Sequence, residues 1–498
     1  MTLAHSTIED LVTLVRDYRP SDLLPRIRRL SDEVKAAGAP GLSIEMPPSL
    51  RYGGLEQKVL VGPHLPALIA RLSVIVGHEL APGTLTDERF LRLVRMGCDL
   101  YDPAMKGDAW RFFLRTIYEQ APFQESVWEL IPRALLMYEE ANRLVSDKQH
   151  DIERDFEEAF SLSVRDYLTL GFALYAQFFS DPVFFPLGGW HTKIPSLRDL
   201  LKTDKKEALL RLVCADAGRF RSVNSIFAQS ESKTDSYDFN SLFMYPVIDL
   251  GSGKCVSPVM DLLAIRLYDA PYYELANLAE GAGKRNSFRA FFGRIFHEYT
   301  GMLLREAFGS SAVSPEFGPN PPGPVDWAVF HDECGVLIEC RASELSLPAR
   351  YSADETVLQK DLQRIVIETV DKLERKRAMI EGSSLKPPNV AHWHLLMVVK
   401  EPLLPVPHIR ALINAGLSQP VRYHLMSTDD LEQLLALHGT EEVCRILVEK
   451  EADSHIDEDF RTFFSSHRTD YAFRRNPLIE RTYDQYFAEL APALAQPS

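Results

Sequence analysis

Thiol pairs, cationic excess, long apolar runs and nucleotide-binding signatures are scarce or missing in this chain of 498 residues. The six cysteines, at positions 98, 214, 255, 334, 340 and 444, form no CxxC pair. That spacing excludes a zinc ribbon and gives no disulfide framework, and it suits a reducing, cytoplasmic location. The most apolar window, Tyr167 to Phe179, holds about thirteen residues and closes on Ser180-Asp181-Pro182, so no membrane span is expected. No signal peptide is expected at Met1-Thr2-Leu3-Ala4-His5, which runs at once into Glu9 and Asp10. GxxxxGK[ST], GxGxxG and HExxH are absent, which removes P-loop, dinucleotide and zincin chemistry. No repeat of fixed period is found. The net charge of −15 leaves any nucleic-acid contact to local cations rather than to the total.

One stretch carries chemistry. Pro324-Val325-Asp326-Trp327-Ala328-Val329-Phe330 and Val336-Leu337-Ile338-Glu339-Cys340-Arg341 read as two apolar strands joined by the polar turn His331–Gly335. A carboxylate inside an apolar strand is costly to bury unless it is paired or binds a cation. Asp326 and Glu339 are two such carboxylates on facing strands. Arg341 shares the Glu339 face because strand side chains alternate with period two. Mg²⁺ or Mn²⁺ suits this set, since Mg²⁺ takes one or two carboxylates and keeps its waters.

This spacing resembles the PD-(D/E)XK restriction-endonuclease-like superfamily. The residues matching its motif are Asp326 and Glu339-Cys340-Arg341, preceded by a helix bearing Glu298. The resemblance implies an α/β core with a mixed sheet and a metal held by Asp326 and Glu339. It also implies hydrolysis of phosphodiester bonds, with DNA as the favoured nucleic-acid partner. Arg341 departs from the usual lysine: it keeps the charge but stays protonated and presents a planar fork. Lys360, on the following helix, is a second candidate for the lysine's place, because some members supply it from there. Glu298 has two readings on helix spacing, an acid pointing to the strand carboxylates or a partner of Arg294 one turn back.

The rest of the chain gives an α+β or α/β architecture with a helical N-terminal region. Residues 1–235 read as helical, with apolar spacing of three and four over Ile8–Tyr18, Glu88–Val94, Trp110–Ile117, Val127–Leu144 and Phe156–Phe179. This region shows no catalytic motif and is expected to recognise or bind a protein partner. The aromatic pairs Phe112-Phe113, Phe178-Phe179 and Phe184-Phe185 read as core. A polar linker, 229–236, precedes a β-hairpin and helix lead-in over 236–285. The lead-in is similar in pattern to large helical-plus-nuclease proteins of bacterial anti-phage systems. The nuclease-like core is expected over 286–440: a helix, strands at 313–317, 324–330 and 336–341, a long helix Asp354–Glu381, strands at 392–400 and 421–426, and a helix capped by Thr428. Residues 441–498 read as a helical extension. Five cations between Lys284 and Arg305, and Arg461, Arg468, Arg474, Arg475 and Arg481, are the candidate basic footprint. His392 and His394 share a strand face, but without further ligands at metal spacing they read as core or surface histidines.

Two functions follow. One is a metal-dependent nuclease using Asp326, Glu339, Glu298 and Arg341 or Lys360. The other is a nuclease-fold protein without turnover that binds nucleic acid or assembles a complex. A regulatory DNA binder ranks last for want of a helix-turn-helix. Oligomeric state is not encoded in any pattern found.

Overall fold

The computed structural model describes residues 6–38, 41–51, 58–100, 123, 127–147, 149–180, 185–186, 203–228, 238–251, 253–319, 323–352, 354–403, 407–436, 440–452, 455–456, 458–467 and 475–494. The helix expected over Trp110–Ile117, the linker 229–236, part of the loop 318–323, Phe112, Phe113, Phe184, Arg468 and Arg474 lie outside these residues. Contacts gather into two units, one of Met1–Ile131, Phe156–Pro271 and Ala488–Ser498, the other of Pro132–Asp155 and Tyr272–Phe487. Neither is a continuous run, whereas the expected ranges 1–235, 236–285, 286–440 and 441–498 were drawn along the chain. Among the described residues no helix is long and apolar enough to cross a membrane.

The first unit is mostly helical but not wholly so, which corrects the all-helical reading of residues 1–235. Leu42–Glu45 and Lys58–Val61 pair antiparallel, and Cys214–Asp216 joins the expected hairpin Val247–Gly251 and Lys254–Val256 in a four-stranded sheet. These strands are only three to five residues long, too short for alternation to stand out from helical spacing. The helix Ile8–Arg16 begins on a capping box, Thr7 with Asp10. The stretch expected as one helix over Phe156–Phe179 is two, Ile152–Phe160 and Val164–Ser180, broken where Ser161 takes φ +57°. Phe178 is core as expected, but Phe179 is exposed.

The second unit is a mixed α/β body. Helix α1 (Arg285–Phe308) is followed by strands β1 (Val313–Phe317), β2 (Val325–His331) and β3 (Cys334–Arg341). Helix α2 runs from Glu355 to Glu381, with one wide turn at Gln363–Ile367. Then come β4 (His392–Val399), α3 (Pro407–Gly416), β5 (His424–Ser427), α4 (Thr428–Leu435) and α5 (Thr440–Lys450). The helix α4 is capped by Ser427, one residue before the expected Thr428, because Ser427 and Asp430 form the capping box.

The five strands lie in the order β5-β4-β3-β2-β1. β1, β2 and β3 are antiparallel neighbours, while β3, β4 and β5 run parallel. The β2–β3 turn needs only Asp332 and Glu333, with Asp332 at φ +48°, so the strands extend one to two residues further than expected. β3 is buried along nearly its whole length, as a strand covered on both faces must be. One face takes α1: Gly301 sits so close to Trp327 that an added Cβ would stand 2.2 Å from the indole. The other face takes α2, through Leu358, Leu362, Ile365, Val366, Val370 and Leu373, all buried.

Candidate active site

Register places the two carboxylates. Trp327 pairs with Ile338 and Ala328 with Leu337, so Asp326 continues the ladder directly opposite Glu339. Side chains alternate, so Asp326, Glu339 and Arg341 leave the sheet on the α2 face, while Trp327, Ile338 and Cys340 leave it on the α1 face.

Glu339 is wholly buried, and three cations converge on it. Lys376 Nζ lies 2.7 Å from Oε1, Lys372 Nζ 3.0 Å from Oε2, and the Arg341 guanidinium 3.6 Å from Oε2. Lys372 and Lys376 stand four apart on α2 and share the face turned to the sheet. Lys376 is itself fully buried and also donates to the Pro324 carbonyl. Burial pulls its pKa down, against the opposing pull of Glu339, to about 8. Arg341 is anchored through Nε to Thr369 Oγ1 at 2.9 Å, which holds the guanidinium between α2 and the carboxylate.

Among the described residues Asp326 has no lysine partner of this kind. Its Oδ2 accepts the Cys340 N–H at 2.8 Å. Burial, then the Glu339 charge, push its pKa above the usual carboxylate range, against that hydrogen bond and the more distant His297 and Arg341. Two opposed carboxylates, one destabilised as an anion, make a donor set that a hard divalent cation relieves. The residues therefore fit Mg²⁺ or Mn²⁺.

The structure separates the remaining candidates from this pair. Glu298 rises from α1, which covers the opposite face of the sheet. Its carboxylate meets His297 Nδ1 at 3.3 Å and Arg305 at 3.9 Å. Among the described residues it completes no three-ligand group with Asp326 and Glu339. Nor does it take the alternative partner, since Arg294 pairs with Asp147. Lys360 is exposed on the first turns of α2, and the lysines of that helix that meet Glu339 are Lys372 and Lys376. Lys376 was findable: it continues the stripe of Thr369 and Leu373, and a lysine on a buried stripe asks for a partner.

His297 was also missed. Its Nε2 donates to the Asp326 carbonyl at 3.2 Å, and its ring stacks on Trp327 at 4.5 Å. Trp327 returns a bond from Nε1 to the His297 carbonyl at 3.1 Å, and Arg305 lies over the indole at 4.6 Å. This interlock fixes β2 beside α1 and so fixes Asp326. Much of the candidate basic footprint is internally engaged: Arg285 with Glu280, Arg294 with Asp147, Arg461 with Asp429 and Arg481 with Glu306. Of the two strand histidines, His392 is exposed, whereas His394 is buried and bonded to Glu451. Comparison with family models, curated proteins and solved structures finds no match to the chain.

Proposed function

We propose that the chain is a metal-dependent nuclease that hydrolyses phosphodiester bonds in DNA, with its centre at Asp326, Glu339, Lys376 and Lys372. The observation that carries this reading is the placement of Asp326 opposite Glu339, with two lysines of α2 turned onto the same carboxylate. The order of elements supports a restriction-endonuclease-like core: a helix, an antiparallel three-strand meander, a helix, then a strand parallel to the third strand of the meander and on its outer side. In that core the lysine beside the acid stabilises charge. Here α2 supplies it and Arg341 fills the strand position.

Asp326 and Glu339 would hold Mg²⁺ or Mn²⁺, which supplies an acidified water and charge neutralisation at the phosphate. The chain's own residues do the rest. Lys372, about a third exposed, is placed to meet a phosphate oxygen. Arg341, similarly exposed, offers a planar fork to the same oxygens. Lys376 stays inside, fixing the Glu339 rotamer. The Trp327–His297 stack holds the Asp326 backbone.

A second reading has a specific observation behind it. Both Glu339 oxygens are already engaged by lysines, as in a protein that keeps the fold as a scaffold without turnover. Incubation of the purified protein with plasmid, single-stranded DNA and RNA, each with Mg²⁺, Mn²⁺ or EDTA, separates the two. Cleavage that requires the metal supports the nuclease. No cleavage of any substrate, with no Mn²⁺ uptake by calorimetry, leaves the scaffold.

A further inference from the structure

On the opposite face of the same sheet, three side chains from three elements meet in a buried cluster. His394 of β4 and His424 of β5 lie on one face, because Leu396 pairs with His424 and His394 stands two residues before Leu396. Glu451 follows the last turn of α5, which lays it against both strands. His394 Nδ1 is 2.7 Å and His424 Nε2 is 3.1 Å from the same oxygen, Glu451 Oε1. The three ligand atoms all lie within 4.8 Å of one another. Both histidines are almost wholly buried, while Glu451 keeps 17 % exposure and gives an entry path.

Both imidazoles converge on one carboxylate oxygen, so the three ligand atoms already face a common point. Phe460, 5.7 Å from the His424 ring, walls the cluster on one side. Two imidazoles and a carboxylate are the ligand types of a zinc-class cation, not of Mg²⁺. A tetrahedral zinc with bonds of about 2.0 Å holds its ligand atoms about 3.3 Å apart. The two observed N···O separations fall short of that by about 0.6 and 0.2 Å, within reach of side-chain adjustment.

We infer that His394, His424 and Glu451 form a zinc-class divalent cation site, distinct from the carboxylate pair of Asp326 and Glu339, that fastens α5 to the parallel half of the sheet. Three protein ligands leave one position for water. The Cys334–Cys444 thiol pair lies along the same helix face, Cys444 being two turns before Glu451, but stays outside the three-atom group. On binding, the cation would take His394 Nδ1 and His424 Nε2, and each ring stays neutral by carrying its single proton on the other nitrogen, His394 Nε2 and His424 Nδ1.

The test uses full-length protein carrying Asp326→Asn, so that the carboxylate pair does not compete, freed of metal by a chelator. Zn²⁺ is titrated against a chromophoric chelator in excess Mg²⁺. The expected result is one equivalent of Zn²⁺ bound, a rise in melting temperature, and a loss of affinity of roughly 100-fold on adding Glu451→Gln. No Zn²⁺ uptake overturns the inference, as does equal uptake with Glu451→Gln. Should the Glu451 variant not fold, Co²⁺ in the Asp326→Asn protein decides. The intense visible bands of a four-coordinate ion support the site, and the weak bands of a six-coordinate ion overturn it. The cluster would then be a hydrogen-bonded clamp.

Discussion

Lys376→Met removes an ammonium from the centre of the second unit while keeping most of the side-chain stem. Glu339 and Lys376 are both fully buried, 2.7 Å apart. Breaking a buried pair from one side typically costs about 3–5 kcal/mol, because the remaining charge is left without compensation. Lys372 at 3.0 Å and Arg341 at 3.6 Å still reach Glu339, which places the expected cost near the lower end, about 3 kcal/mol. For a unit of some 150–250 residues that corresponds to a fall in melting temperature of about 6–12 °C. The assay is thermal unfolding followed by circular dichroism in EDTA, which keeps metal out of the balance. The double variant Glu339→Leu with Lys376→Met should recover most of the loss, because an apolar pair needs no compensation. A single variant melting within a degree of wild type would refute the reasoning, since Glu339 would then not depend on Lys376.

Asp326→Asn is expected to hold or raise the melting temperature in EDTA, because burial and Glu339 disfavour the anion it removes. A clear drop in the same melt would contradict that. Glu339→Gln, by contrast, should destabilise, since the buried lysine loses its counter-charge. Gly301→Ala sets a methyl 2.2 Å from the buried Trp327 ring and should cost about 1–3 kcal/mol in urea unfolding; a neutral result would mean that α1 is free to shift. Glu401 is pushed up by burial, yet Arg350 at 2.6 Å and Lys400, with a hydrogen bond donated by Tyr273, hold it down at about 2. Its folded pKa lies below the unfolded value of about 4.5, so its contribution is full above pH 4.5 and is lost as pH falls toward 2. Glu401→Gln should therefore cost roughly 2 kcal/mol at pH 7 and progressively less below pH 4.5. A cost independent of pH would sink this assignment.

The strand half of the site was legible in part: the apolar runs place Asp326 and Glu339 in neighbouring strands, and period two puts Arg341 on the Glu339 face. The expected five-residue turn His331–Gly335 would set Asp326 opposite Cys340, and it is the observed two-residue turn that sets it opposite Glu339. The helical half was not. The wide turn at Gln363–Ile367 inserts an extra residue into α2, so a face counted forward from Lys360 no longer points where an ideal helix would put it. Glu298 sat correctly at the edge of an apolar stripe, but its helix covers the other side of the sheet, which no local spacing reveals. His424 and Glu451 lie thirty and fifty-seven residues beyond His394. Only the parallel pairing of β4 with β5 brings them together, and parallel partners leave no turn signature in sequence.

Supercoiled-plasmid nicking with Mn²⁺, run beside an EDTA control, tests the central claim most directly in three proteins: wild type, Lys360→Met and Lys376→Met. Nicking by wild type and Lys360→Met, abolished in EDTA and in folded Lys376→Met, is the expected outcome. Wild-type protein that leaves plasmid intact, or folded Lys376→Met that nicks at the wild-type rate, would contradict the account.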